Sequence, residues 1–125
     1  MKLLDLFSGT GGFSYGFQKH GITPVAFCEN ELYAQKVLMK HWPNTPIFND
    51  VTTLTKSDLS TLDFDIITGG FPCQDISIAG KNSGINGERS GLWKEFMRII
   101  DETQPKYAVF ENVFALCSRG LDQLL

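Results

Sequence analysis

The sequence predicts an α/β fold with a mostly parallel sheet of about five strands, and three features point there. Short apolar runs alternate with longer amphipathic ones. A glycine-rich turn joins the first apolar run to the first amphipathic one. Polar residues recur directly after the apolar runs, where open α/β sheets bind their ligands.

Lys2–Leu6 reads as the first strand, followed by a turn over Ser8–Gly12 and a helix from about Phe13 to His20. Gly21 stops that helix in the usual C′ manner. Thr23–Cys28 is a second strand, and Glu31–His41 a second helix ended by Trp42-Pro43. Ile47-Phe48 is a short third strand leading to Asp50, Lys56–Leu59 a brief helix, and Phe64–Thr68 the fourth strand. The Gly-, Asn- and Ser-containing stretch from Asp75 to Gly91 has little periodicity and reads as a long loop, a frequent place for function. Leu92–Glu102 is amphipathic, with Leu92, Phe96, Ile99 and Ile100 on one side, and Pro105 follows it. Lys106–Phe110 is the fifth strand, running into Glu111-Asn112-Val113.

The chain has 125 residues, enough for one core, with 42% hydrophobic and 20% charged residues. That is a globular balance. No apolar run is long enough to span a bilayer and no signal peptide opens the chain, which sets the expectation of a cytoplasmic protein without membrane contact. Cys28, Cys73 and Cys117 are too few and too scattered for a disulfide framework. With no Cys-x-x-Cys pair, no metal site is expected. Cys28 and Cys117 sit in apolar surroundings and read as core fillers. Net charge is −3 and basic residues are dispersed, so the strong basic face of a duplex-gripping protein is missing.

Two groups of residues carry chemistry. The first is strand, Gly9-Thr10-Gly11-Gly12, helix: a dinucleotide-like turn without the strict G-x-G-x-x-G spacing. Glu29 falls 20 residues after Gly9, where an acid can accept from ribose hydroxyls. Asp50 could accept from an adenine amino group. Turn and acid together suit an adenosine-bearing cofactor but do not separate nicotinamide from S-adenosylmethionine. The second is Cys73, set between Pro72 and Gln74 just past a strand. Pro72 fixes its own φ and restricts Phe71, which aims the sulfur. A thiolate so presented is a candidate nucleophile.

The motifs Asp5-Leu6-Phe7-Ser8-Gly9-Thr10-Gly11-Gly12-Phe13, Pro72-Cys73-Gln74 and Glu111-Asn112-Val113 occur in an order and strand context that resembles the C5-cytosine DNA methyltransferases, over Lys2 to about Leu116. The resemblance implies a Rossmann-like methyltransferase fold using S-adenosyl-L-methionine, acting on cytosine in double-stranded DNA in a restriction-modification setting. It implies Cys73 as nucleophile at C6 and Glu111 as the partner of N3 and the exocyclic amine. It further implies cofactor contacts from Phe7, Gly9, Thr10, Gly11, Gly12, Glu29, Asn30, Asp50, Val51, Pro72 and Leu92. Gln74, Ser77, Asn112 and Val113 would face the substrate. Asn30 stands where many relatives carry an aromatic residue or isoleucine, and Phe71 where RNA-methylating relatives usually have proline.

Relatives are longer. Residues 1–125 therefore read as a partial catalytic domain, without the later Gln-x-Arg-x-Arg-type motif, the target-recognition domain and the C-terminal segments of the fold. The expectation is little activity from this chain alone and a fifth strand left as a bare edge. Either a second polypeptide supplies those parts or the chain is truncated. The competing readings are a non-catalytic module that binds S-adenosylmethionine or a partner, and a nicotinamide-dependent oxidoreductase. The cysteine and glutamate motifs disfavour the last.

Overall fold

The computed structural model describes residues 1–71 and 91–112. In chain order these form β1 (Lys2–Leu6), α1 (Gly12–Gln18), β2 (Thr23–Cys28), α2 (Leu32–His41), β3 (Ile47–Phe48), β4 (Ile66–Gly69), α3 (Leu92–Thr103) and β5 (Tyr107–Phe110). All strand pairings are parallel and the sheet order is β3-β2-β1-β4-β5. The chain first winds outward from β1 through β2 to β3. It then returns to the other side of β1 for β4 and β5.

β1 is central, and Leu3, Leu4 and Leu6 are fully buried. A strand covered on both faces reads as a continuous apolar run, not an alternating one. Each such leucine contributes on the order of 2 kcal/mol. Ile66 and Ile67 of β4 and Ala26 and Phe27 of β2 extend this core sideways, and Phe96 and Ile99 of α3 cover it. β5 is the outer strand next to β4 among the described residues, and it is exposed along its length, with Tyr107 and Phe110 uncovered.

Local chemistry explains the helices. The Glu31 carboxylate caps α2, accepting from the Tyr33 and Ala34 amides at 3.2 and 2.7 Å. Lys40 and His41 occupy its last turn, where the helix dipole favours cations. α3 ends at Gln104, which takes a left-handed φ of 49° and returns its N–H to the Ile100 carbonyl.

Several boundaries differ from the sequence reading, α2, α3 and β5 by a single residue each. Residues Lys56–Leu59 form successive turns, not a helix. The Asp58 carboxylate accepts from both the amide and the hydroxyl of Thr55, a local alternative to helical bonding. β4 begins at Ile66 because the ladder to β1 opens with Leu3 against Ile66. It extends to Gly69, where an added Cβ would lie 2.7 Å from Phe96 Cε2. α1 starts at Gly12 and closes at Gln18, earlier than the apolar pattern implied.

Candidate active site at the β1–β4 switch point

The strand order reverses between β1 and β4, so the loops leaving these two strands diverge and open a crevice. Two clefts occupy it, and Phe7 and Gly70, the residues just past β1 and β4, line both. Phe7 holds a left-handed φ of 52°, which costs a non-glycine residue on the order of 1–2 kcal/mol. Its ring meets Phe71 edge-on at 6.4 Å. Phe71 in turn contacts Phe96 and Phe110, both at 5.9 Å.

The narrower cleft, about 360 Å³, lies over β1 to β3 and is lined by Phe7, Gly9, Cys28, Glu29, Asn30, Asn49, Asp50, Val51, Gly70 and Leu92. Glu29 is fixed by backbone: its Oε2 accepts from the Gly9 amide at 2.7 Å and its Oε1 from the Glu31 amide at 2.8 Å. An ionised carboxylate has about four acceptor positions, so capacity remains for hydroxyls of a ligand. Asp50 Oδ1 accepts from the amide and hydroxyl of Thr52. Those bonds hold its pKa below the ordinary carboxylate value. Gln35 reaches from α2 and donates through Nε2 to the Glu29 carbonyl and, at 2.9 Å, to Asn49 Oδ1. It thereby ties the ends of β2 and β3 together.

The wider cleft, about 660 Å³, runs along α1, lined by Phe7, Ser8, Thr10, Gly12, Phe13, Gly16, Phe17, His20, Gly70 and Glu111. Glu111 follows β5, and its amide donates to the Gly69 carbonyl at 3.1 Å. Its Oε2 lies 3.6 Å from where a Gly70 Cβ would stand. The absence of a side chain at Gly70 therefore leaves the carboxylate room beside the end of β4.

The sequence-nominated residues divide as follows. Phe7, Gly9, Glu29, Asn30, Asp50, Val51 and Leu92 meet in the narrower cleft, and Thr10, Gly12 and Glu111 in the wider one. Gly11 lines neither. An added Cβ there would lie 2.6 Å from Trp42 Cζ3 and 3.0 Å from Leu38 Cδ2, so its bareness lets α1 pack onto the end of α2. Asn112 is half-buried beyond Glu111. Pro72, Cys73, Gln74, Ser77 and Val113 lie outside the described residues, as do Cys117 and the long loop from Asp75.

Sequence reasoning placed Asp5 at the head of the first motif but gave it no role. It is fully buried, accepting from Ser14 Oγ at 2.6 Å and Thr68 Oγ1 at 2.8 Å. Burial pushes its pKa up to about 6 against the opposing pull of those hydroxyls. Asp5 thus links β1, α1 and β4 directly beneath the crevice. The available signal was a lone acid within an apolar strand, Leu3-Leu4-Asp5-Leu6.

Comparison with known proteins agrees with this geometry. The family model for C-5 cytosine-specific DNA methylase matches residues 1–123. The Type II methyltransferase M.CviJI of Paramecium bursaria Chlorella virus IL3A is 46% identical over 112 residues, covering 89% of this chain and 30% of the relative. M.NgoFVII of Neisseria gonorrhoeae, also a Type II methyltransferase, is 38% identical over 115 residues, covering 92% of this chain and 31% of its own length. A candidate DNA modification methyltransferase encoded within an E. coli prophage superposes with a TM-score of 0.78 at 28% identity, over 93% of this chain and 33% of that one. The chain thus spans about a third of the length of these relatives. A Rossmann-like parallel sheet, an acid held by the glycine turn, and a family match along almost the whole sequence agree: the chain belongs to the C-5 cytosine-specific DNA methylase family.

Proposed function

We propose that residues 1–125 are the cofactor-binding and nucleophile-bearing part of a DNA (cytosine-5-)-methyltransferase of restriction-modification type, with the target-recognition domain elsewhere. The observation that carries this reading is the convergence of Glu29 and Glu111 on adjoining clefts that share Phe7 and Gly70.

The narrower cleft suits the nucleoside of S-adenosylmethionine. Glu29 would hold the ribose hydroxyls, Asp50 and Val51 the adenine edge, and Phe7 and Leu92 the apolar faces. Asn30 adds a polar wall where a ring would pack more tightly. Thr10 and Gly12 would border the methionine end. When bound, the cofactor supplies a methyl group activated by its sulfonium charge.

The remaining chemistry belongs to the chain. The Cys73 thiolate adds to C6 of a cytosine turned out of the duplex, since a stacked base cannot present C6 to a thiolate. The new S–C6 bond pushes the former C5–C6 π pair toward C5, making that carbon nucleophilic. The Glu111 carboxyl would give a proton to N3 and accept a hydrogen bond from the exocyclic amine, neutralising the charge that thiolate addition brings to the ring, and would take that proton back when the thiolate leaves. After C5 is methylated, its proton leaves to a base, the double bond re-forms and the C6–S bond breaks to return the thiolate. Gln74, Ser77, Asn112 and Val113 would border the DNA. The proposal sets this reaction in the cytoplasm, where a nucleophilic thiol stays reduced.

The parts that grip and read DNA would come from further sequence or from a second polypeptide. The length of the relatives supports this reading, as does the dispersed basic charge. Duplex DNA carrying 5-fluorocytosine tests the chemistry, because fluorine at C5 cannot leave as a proton does. Supplied with those parts, the protein should form a denaturation-resistant adduct that Cys73→Ser reduces by about a thousandfold or more. An undiminished adduct in Cys73→Ser would remove the nucleophile assignment. Methyl transfer at ordinary enzymatic rates by the 125-residue chain alone would overturn the claim of incompleteness.

A further inference from the structure

We propose that Arg98 of α3 is a positioning residue for the adenine end of the narrower cleft, an inference that rests on the cofactor reading above. Arg98 does not line that cleft. Its guanidinium joins the helix to the segment that does. Nη2 donates to the Val51 and Leu54 carbonyls, both at 2.9 Å. Nε donates to Glu95 Oε2 at 2.7 Å and Nη1 to Glu102 Oε1 at 3.0 Å. The two carboxylates, each about one turn of α3 from Arg98 on opposite sides, orient the planar fork, and the third nitrogen grips the loop. Glu102 adds a second hold by accepting from the Lys56 amide at 3.2 Å.

The segment needs such a hold. β3 contributes only two residues to the ladder, Ile47 and Phe48 against Phe27 and Cys28. Beyond it the backbone turns away from the sheet, and the Thr53 amide bonds back within the segment to the Asp50 carbonyl at 3.3 Å. Val51 and Leu54 are anchored by buried side chains, and the bonds from Thr52 and Thr53 to Asp50 act within the turn, so no backbone bond among these ties the turn to α3. The carbonyl clamp supplies that tie next to the carboxylate assigned to the adenine amine. Lysine offers a point charge without a fork, so it can restore the charge but only part of the geometry.

The test compares binding of S-adenosylhomocysteine and S-inosylhomocysteine, which lacks the ring amine, by calorimetry on the full chain. The wild type should prefer the adenosyl compound by about tenfold. Arg98→Met should bring that ratio close to one, and Arg98→Lys should fall between. Glu29→Ala should weaken both compounds together and keep the ratio. A merely structural role would lower the urea midpoint of Arg98→Met and leave the ratio intact, and that result overturns the proposal. Should Arg98→Met not fold, an unchanged ratio in Arg98→Lys overturns it equally. A wild type that binds neither compound, or a Glu29→Ala variant that binds both undiminished, overturns the cofactor reading and this proposal with it. Failure confined to the Arg98 variants overturns this proposal alone.

Discussion

The two clefts at the switch point are neighbours with shared walls, yet they are built differently. The narrower one is made of polar groups already bonded to one another. Glu29 sits between two amides, Asp50 against Thr52, and Gln35 bridges two strand ends. The wider one is made mostly of rings and glycines, with Ser8, Thr10 and one carboxylate, and its long wall is a helix of seven residues. Preorganised acceptors suit a ligand bound in one fixed pose. A roomier wall of Phe13, Gly16 and Phe17 suits groups that enter and leave. The lesson is that one crevice divides into a rigid half and a permissive half according to whether backbone or side-chain packing defines it.

The comparison can be broken most severely at Gly11, on which the placement of α1 depends. Its φ of 88° and the 2.6 Å approach to Trp42 predict that Gly11→Ala costs about 3 kcal/mol by urea unfolding. Trp42 cannot simply move aside, because its ring also packs on Phe27 at 5.2 Å. A loss below about 1 kcal/mol would mean that α1 is not held in this way.

Asp5, beneath both halves, gives a slightly smaller effect with a definite sign. Its folded pKa of about 6 lies above the reference value of 3.8. Between those values the folded protein keeps a proton that the unfolded chain has released, so Asp5 makes stability fall as pH rises through that window. Asp5→Asn has no such proton. The stability of the variant relative to wild type should therefore rise by about 2–3 kcal/mol from pH 3.5 to pH 7. The depressed carboxylates Asp50, Asp58 and Asp65 act in the opposite direction, but they are common to both proteins and cancel. A flat difference across this range would show that Asp5 ionises normally.

The smallest effect sharpens the contrast from the wider side. Nothing lies within 4 Å of a Cβ placed on Gly12. Gly12→Ala should leave stability unchanged or raise it by up to about 1 kcal/mol, while narrowing the cleft where the methionine end is proposed to lie. A clear drop in thermal midpoint would place Gly12 with Gly11 as a packing glycine.

The sheet was legible in advance because its strands are short apolar runs ended by turn residues, and β1, β2 and β3 fall where the pattern puts them. The helix expected over Lys56–Leu59 was not, because side-chain bonds within Thr55–Asp58 compete with helical ones at short range. Glu29 was readable as a strand-end acid. Its grip on the Gly9 amide depends on three-dimensional closure that spacing merely suggests. Gly11 was read with its neighbours as an approach route for ligand, and only the position of Trp42 separates it from them. Arg98 was invisible for the same reason. On a helical projection it is an ordinary exposed cation flanked by acids at i−3 and i+4, and its carbonyl partners lie more than 40 residues away.

Cys28 has a practical consequence. It lies at the floor of the narrower cleft, 3% exposed. Burial, with Asp50 and Glu29 nearby, pushes its thiol up to about 12. At neutral pH it is almost entirely protonated and screened, so alkylating reagents will pass over it in the native protein. Any label taken up by the native protein is then assigned to Cys73 or Cys117, and a Cys117→Ser background leaves Cys73 as the single candidate.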